Sequence, residues 1–142
     1  MSSNNLTLSG HCLCGAVRWS ATGQTVRNLI CHCESCRRAT ASPFTAFAGF
    51  HPDQVTWQGA ITHYESSPGT WRGFCPVCGT RLYYRSDKWP AEIHIHAGTL
   101  DQPALYRPDA EVMTAERLVW LGPMTDLPHH SGFQDTAPDS RG

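Results

Sequence analysis

Short runs in which apolar and polar residues alternate dominate the chain, and they predict strands rather than long helices. Thr7 to His11 and Ala16 to Ala21 form one such pair, joined by the turn Cys12-Leu13-Cys14-Gly15, with Val17 and Trp19 on a common face. Leu29 to Cys33 predicts a third strand that runs directly into a cysteine loop. Phe44 to Phe50 and Ile61 to Ser66 continue the pattern, separated by the turn signal His51-Pro52-Asp53 and by Gly59. Trp71 to Cys75 and Thr80 to Arg85 flank Pro76-Val77-Cys78-Gly79, a hairpin built around a metal knuckle. Ile93 to Ala97 alternates apolar residues with histidine, whereas Val112 to Leu121 fits neither the strand nor the helix period. From His129 to Gly142 the chain is polar and rich in turn residues, which predicts a disordered tail behind a single domain spanning residues 1–128.

Composition strengthens the β reading. Of 142 residues, 40% are apolar and only 16% charged, while 12 glycines and 10 prolines break the chain at short intervals. A chain of this length buries roughly two-thirds of its unfolded surface, enough for one core. The opening Met1-Ser2-Ser3-Asn4-Asn5 has neither a basic nor an apolar targeting segment, and no run reaches membrane-span length, so a soluble, cytoplasmic protein with no membrane partner is expected.

Seven cysteines in a reducing compartment point to metal ligation over disulfides, and their odd number leaves one unpaired in any disulfide scheme. The formal charge is −1, and adding seven thiolate charges and two Zn²⁺ ions takes it to −4, which excludes bulk attraction to nucleic acid. Arg37-Arg38 is the one basic cluster, small enough to be an ordinary solvated pair.

The thiols fall into three groups: Cys12-x-Cys14, Cys31-x-Cys33-x-x-Cys36 and Cys75-x-x-Cys78. Zinc takes four tetrahedral ligands, and a C-x-x-C turn brings two sulfurs to one ion. Two pairs make a closed structural site, from Cys12, Cys14, Cys75 and Cys78. The triplet Cys31, Cys33 and Cys36 then forms an open site whose fourth position falls to water, substrate or another side chain. Two zinc ions per chain are expected. Other readings compete. Some cysteines can be buried small hydrophobes or free thiols, and a ribbon of Cys33, Cys36, Cys75 and Cys78 leaves three thiols without a role. His32-Cys33-Glu34 with Cys75-Pro76-Val77-Cys78 imitates a zinc deaminase, but with its proline on the wrong side of the first cysteine. As a fourth ligand, His32 sits between two ligands on an extended chain and points the other way. His94 and His96 are ordinary polar strand residues in the simplest reading.

The segments Gly10-His11-Cys12-Leu13-Cys14-Gly15-Ala16-Val17, Cys31-His32-Cys33-Glu34-Ser35-Cys36-Arg37-Arg38, Phe74-Cys75-Pro76-Val77-Cys78-Gly79-Thr80 and Gly98-Thr99-Leu100-Asp101 together resemble the glutathione-dependent formaldehyde-activating enzymes, a family grouped with the centromere protein V domain. The resemblance runs from about Leu8 to Leu121. It implies a mainly β fold of small antiparallel sheets around zinc sites, the β-tent, with Cys12, Cys14, Cys75 and Cys78 structural and Cys31, Cys33 and Cys36 reactive. Near the end this chain departs from the family pattern. Pro108 is followed by Asp109-Ala110-Glu111-Val112, and Val119 precedes Trp120.

The activity implied is that of a carbon–sulfur lyase, an S-(hydroxymethyl)glutathione synthase, whose small-molecule partners are a glutathione-like thiol and an aldehyde such as formaldehyde. Three thiolates leave Zn²⁺ with a net −1, which suits thiol addition better than activation of water. His32 and Glu34 are the proton-transfer candidates, and Arg37 and Arg38 are candidates for the carboxylates of the thiol. The alternative class is a non-enzymatic zinc- or thiol-binding module.

Overall fold

In the computed structural model, which describes residues 6–122 and 127–133, the alternating segments become ten strands in two sheets. Strands β1 (Thr7–His11), β2 (Arg18–Thr22) and β5 (Val55–Gln58) form a three-stranded antiparallel sheet in the order β1-β2-β5. The larger sheet contains β3 (Arg27–Cys31), β4 (Thr45–Phe50), β6 (Thr62–Ser67), β7 (Thr70–Phe74), β8 (Arg81–Ser86), β9 (Ile93–His96) and β10 (Ala110–Val112), ordered β10-β3-β4-β9-β8-β7-β6. All its pairings are antiparallel except β10 with β3, which is parallel.

Several boundaries differ from expectation. The third strand ends at Cys31, because Cys33 takes the N-cap position of a short helix, α1 (Glu34–Thr40), where a cysteine loop was expected. The Cys33 sulfur accepts a hydrogen bond from the Cys36 amide at 3.3 Å, and α1 ends at Ala41 in the left-handed conformation. Strand β5 went unread because its four residues lie between a 3-10 turn and Gly59. The ambiguous stretch from Val112 to Leu121 resolves into the end of β10 and two 3-10 turns, Thr114–Glu116 and Val119–Leu121. Beyond residue 133 the expected tail lies outside the described residues, as do 1–5 and 123–126 of the expected domain. No helix among the described residues is long and apolar enough to cross a membrane.

The period-2 alternation gives the larger sheet two chemically distinct faces. One carries Ala48, Phe50, Ile93, Ile95 and Tyr83, which pack on Leu8, Trp19 and Ala21 of the small sheet, and on Val17 just before β2, to make the main core. Fully burying each large side chain there contributes roughly 1.5–3 kcal/mol. Gly10 permits a close approach here. A Cβ at position 10 would stand 2.3 Å from Trp19 Nε1 and 2.4 Å from the Thr99 carbonyl oxygen. The Trp19 indole N–H is thereby free to donate to Thr99 Oγ1 at 2.9 Å.

The opposite face is read from the register. Cys31 pairs with Thr45, Phe47 with His96, His94 with Tyr84, and Tyr84 with Arg72, so these side chains share one side of the sheet. Here the second, smaller cluster forms, from Cys31, Cys36 and Phe47 with Cys33, Tyr84 and Val112 against it.

Candidate metal centre

Two knuckles converge at one end of the main core. The β1–β2 turn supplies Cys12 and Cys14, and the β7–β8 turn supplies Cys75 and Cys78, their ligand atoms all within 4.8 Å of one another. Each knuckle closes on a glycine with positive φ, Gly15 at 82° and Gly79 at 81°, a conformation that favours glycine. Backbone amides turn toward the sulfurs: Val17 donates to Cys12 at 3.3 Å, Ala16 to Cys14 at 3.5 Å and Val77 to Cys75 at 3.4 Å. The sulfurs of Cys12 and Cys14 lie 3.6 Å apart, and those of Cys14 and Cys75 lie 3.8 Å apart. A tetrahedron with metal–sulfur bonds of about 2.3 Å has edges of about 3.8 Å, so this donor set fits a tetrahedral thiolate-bound metal. The Leu13 amide donates to Thr80 Oγ1 at 3.0 Å, tying one knuckle to the other. Hydrogen bonds from Thr80, side chain first and then backbone, hold the Cys78 thiol down at about 5 and ready to ligate as thiolate.

The second cluster stands where β3 passes into α1. Cys31, Cys33 and Cys36 present sulfurs within 4.8 Å of one another, and no fourth His, Cys, Asp or Glu atom joins them among the described residues. A hydrogen bond from Cys36 holds the Cys31 thiol below the ordinary range, and the same interaction together with burial pushes Cys36 upward. Three sulfurs competing for protons in this way form a donor set that a cation would relieve.

Sequence reasoning missed Arg72, which is 6% exposed and sets its guanidinium 3.7 Å from the Cys36 sulfur. Its Nε donates to Ser66 Oγ at 3.2 Å, and the group lies 5.0 Å from the centre of the Tyr84 ring. The neighbouring Trp71 is 37% exposed, so hydrophobicity alone assigns this pair the wrong way round. His96 shares the same face. Burial first, then the charges of Arg72 and Arg81, lower its pKa to about 4, which keeps the ring neutral near pH 7.

The remaining candidates separate. His32 is 1% exposed and directs Nε2 to Glu111 Oε1 at 2.8 Å, joining β3 to the β10 segment. Glu111 lies in the segment that departs from the family pattern. Glu34 is exposed in the first turn of α1, and Arg38, hydrogen-bonded to it at 2.8 Å, holds its carboxyl below the usual carboxylate range. Arg38 is thus already paired, and Arg37 lines a separate cavity with Leu118 and Trp120. His94 approaches Glu92 at 3.2 Å, and neither His94 nor His96 belongs to a candidate metal cluster.

Fold and site together define a β-rich protein with one four-sulfur and one three-sulfur cluster, each able to hold a metal ion. The family described as "Glutathione-dependent formaldehyde-activating enzyme" matches residues 7–116, and the chain belongs to it. A Schizosaccharomyces pombe protein named "Uncharacterized lyase C29B12.13" is 39% identical over 75 residues, which is 53% of this chain and 55% of that protein. The match thus spans about half the length of this curated relative. A crystal structure of a Rhodobacter sphaeroides protein aligns with a TM-score of 0.58 at 21% identity, covering 72% of this chain and 98% of the other. At that identity the likeness concerns the fold.

Proposed function

We propose that this chain is a zinc-dependent lyase-type enzyme of carbon–sulfur chemistry, which adds a glutathione-like thiol to a small aldehyde such as formaldehyde. The observation that carries the reading is the three-sulfur cluster with a buried guanidinium beside it and no fourth protein ligand among the described residues. Family membership and the relative's name as a lyase support it. Cys12, Cys14, Cys75 and Cys78 would hold a structural zinc, and Cys31, Cys33 and Cys36 the reactive one.

When bound there, zinc supplies a centre that keeps a ligating thiol deprotonated while its electron-rich thiolate partners preserve the nucleophilicity of that sulfur. The chain's own residues do the rest. The turn from β3 into α1 fixes the spacing of the triplet, and the cap from Cys33 to the Cys36 amide orients two of its sulfurs. Arg72 offsets the negative charge that collects on the cluster, in surroundings where such a charge is costly to leave alone. The His32–Glu111 hydrogen bond braces the strand end between Cys31 and Cys33. In the overall reaction a sulfur–carbon bond forms, the carbonyl π bond breaks, and the thiol proton ends on the new hydroxyl oxygen. No electrons leave the system.

Cobalt substitution tests the reading, because a change from three to four sulfur ligands alters the visible spectrum. Glutathione should change it at millimolar concentration, and exchange NMR should then show faster formation of the hemithioacetal with formaldehyde. A spectral change without acceleration marks a thiol-binding module. A spectrum indifferent to glutathione removes the glutathione assignment.

A further inference from the structure

Beside the triplet, a cleft of about 270 Å³ opens between α1 and the β6–β8 part of the large sheet, lined by Ser35, Tyr64, Ser66, Ser67, Arg72 and Arg81. Its charge is unbalanced. Among the described residues Arg27 pairs with Glu92 and Arg38 with Glu34, but no carboxylate lies within ion-pair distance of Arg72 or Arg81. Arg72 is held by a serine hydroxyl, a cysteine sulfur and a tyrosine ring, and Arg81 stacks over Phe74 at 4.9 Å. A guanidinium as buried as that of Arg72 ordinarily has an anion to face. On its inner side it meets the Cys36 sulfur. Toward the cleft, the partners are four side-chain hydroxyls and the second guanidinium.

We infer that this cleft binds a carboxylate of an acidic peptide thiol whose sulfur joins the Cys31–Cys33–Cys36 cluster, with Arg72 and Arg81 as the specificity-determining pair. The inference rests on the function proposed above and names the feature of the thiol that the site reads. Two properties of the cleft favour it. Guanidinium groups recognise carboxylates through paired, charge-assisted hydrogen bonds, and serine hydroxyls add further donors. In location, Ser35 immediately precedes Cys36 on α1 and Arg72 touches the Cys36 sulfur, so the cleft lies next to the cluster, within reach of one small molecule that spans both. The volume lies just below the range of about 300–1,000 Å³ typical of complete ligand sites, which suits one arm of a peptide rather than the whole. Arg81 also borders a second cavity of about 670 Å³, together with His96, Thr40 and Thr45, and this gives the remainder of the ligand a place to lie. The sequence-level candidates, Arg37 and Arg38, are displaced from this role because Arg38 is neutralised by Glu34 and Arg37 faces another cavity.

The test compares two thiols on the full-length, cobalt-loaded protein: glutathione, and 2-mercaptoethanol, which has no carboxylate. Apparent dissociation constants are read from the visible spectrum for the wild type, Arg81→Gln and Arg81→Lys, with metal content and melting temperature as controls of folding. Loss of a charged hydrogen bond should weaken glutathione by about tenfold or more in Arg81→Gln. Binding of 2-mercaptoethanol should stay within about twofold, and Arg81→Lys should recover part of the loss. On the unaltered protein, glutathione diethyl ester should bind about tenfold more weakly than glutathione, which preserves the test if a variant misfolds. Equal weakening of both thiols, or no difference between glutathione and its ester, overturns the carboxylate assignment while leaving thiol binding intact. If neither thiol changes the wild-type spectrum, the proposed function falls together with this inference.

Discussion

Replacing Cys75 by Ser should cost this protein far more than replacing Cys33 by Ser, because the two clusters close loops of very different length. Cys14 and Cys75, whose sulfurs lie 3.8 Å apart, are separated by 61 residues, and they join the β1–β2 turn of one sheet to the β7–β8 turn of the other. By the chain-entropy estimate used for cross-links, closing a loop of that length is worth about 4 kcal/mol. A structural zinc adds metal-binding free energy that is itself folding free energy. Against a total stability of about 5–15 kcal/mol, losing 4 kcal/mol lowers the melting temperature by roughly 15 °C or abolishes cooperative melting. The Cys31–Cys33–Cys36 group, in contrast, lies within one strand end and the first turn of α1, which local structure already brings together. Serine at position 33 retains an oxygen able to cap the Cys36 amide, so the helix start survives. Its cost should be about 1 kcal/mol, with metal content falling from two ions per chain to one. Circular dichroism, thermal melts in the presence of zinc and elemental analysis make the comparison. Equal loss of structure in the two variants would refute the assignment of the four-sulfur cluster as the structural one.

Two further outcomes follow from the packing. His96 should titrate by NMR near pH 4. Since its unfolded value lies near 6.5, the unfolded chain binds the extra proton between these values, and the contribution of this residue to stability falls as pH drops through that window. Observed titration near 6.5 would mean that the ring is solvated and the charges of Arg72 and Arg81 do not reach it. Gly10→Ala should destabilise by about 1–3 kcal/mol through overpacking against Trp19 and the Thr99 carbonyl, measurable as a shift of the urea midpoint, and an unchanged midpoint would show that the indole can move aside.

What sequence could show here depended on whether a signal was local. Cysteine spacing and the glycines after each knuckle are local, and the two sulfur clusters match the grouping that spacing implied. Alternation located most strands and placed His94 and His96 on one face, though it could not say that the same face carries Cys31 and Cys36. Helix α1 was concealed because its seven residues are too few to show a period and its cap is a cysteine, outside the usual capping set. Arg72 and Glu111 were illegible for a different reason. Each acts through a partner far along the chain, Cys36 in one case and His32 in the other, and only strand register brings them together. The candidates nearest in sequence to the triplet, Arg37 and Arg38, were favoured by proximity along the chain, which does not fix where a side chain goes: Arg38 pairs with Glu34, and both line the cavity of Leu118 and Trp120.

The division of the large sheet into a core face and a cluster face makes its specificity independently adjustable. Along β4 and β9, Ala48, Phe50, Ile93 and Ile95 interlock with the small sheet, while Thr45, Phe47, His94 and His96 alternate with them and look the other way. A lineage can therefore rewrite every second residue of these strands, and with them the chemistry around the triplet, without disturbing a single contact that holds the two sheets together. The same arrangement guards the register, because a slip of one residue would drive two histidines into the apolar core and expose two isoleucines.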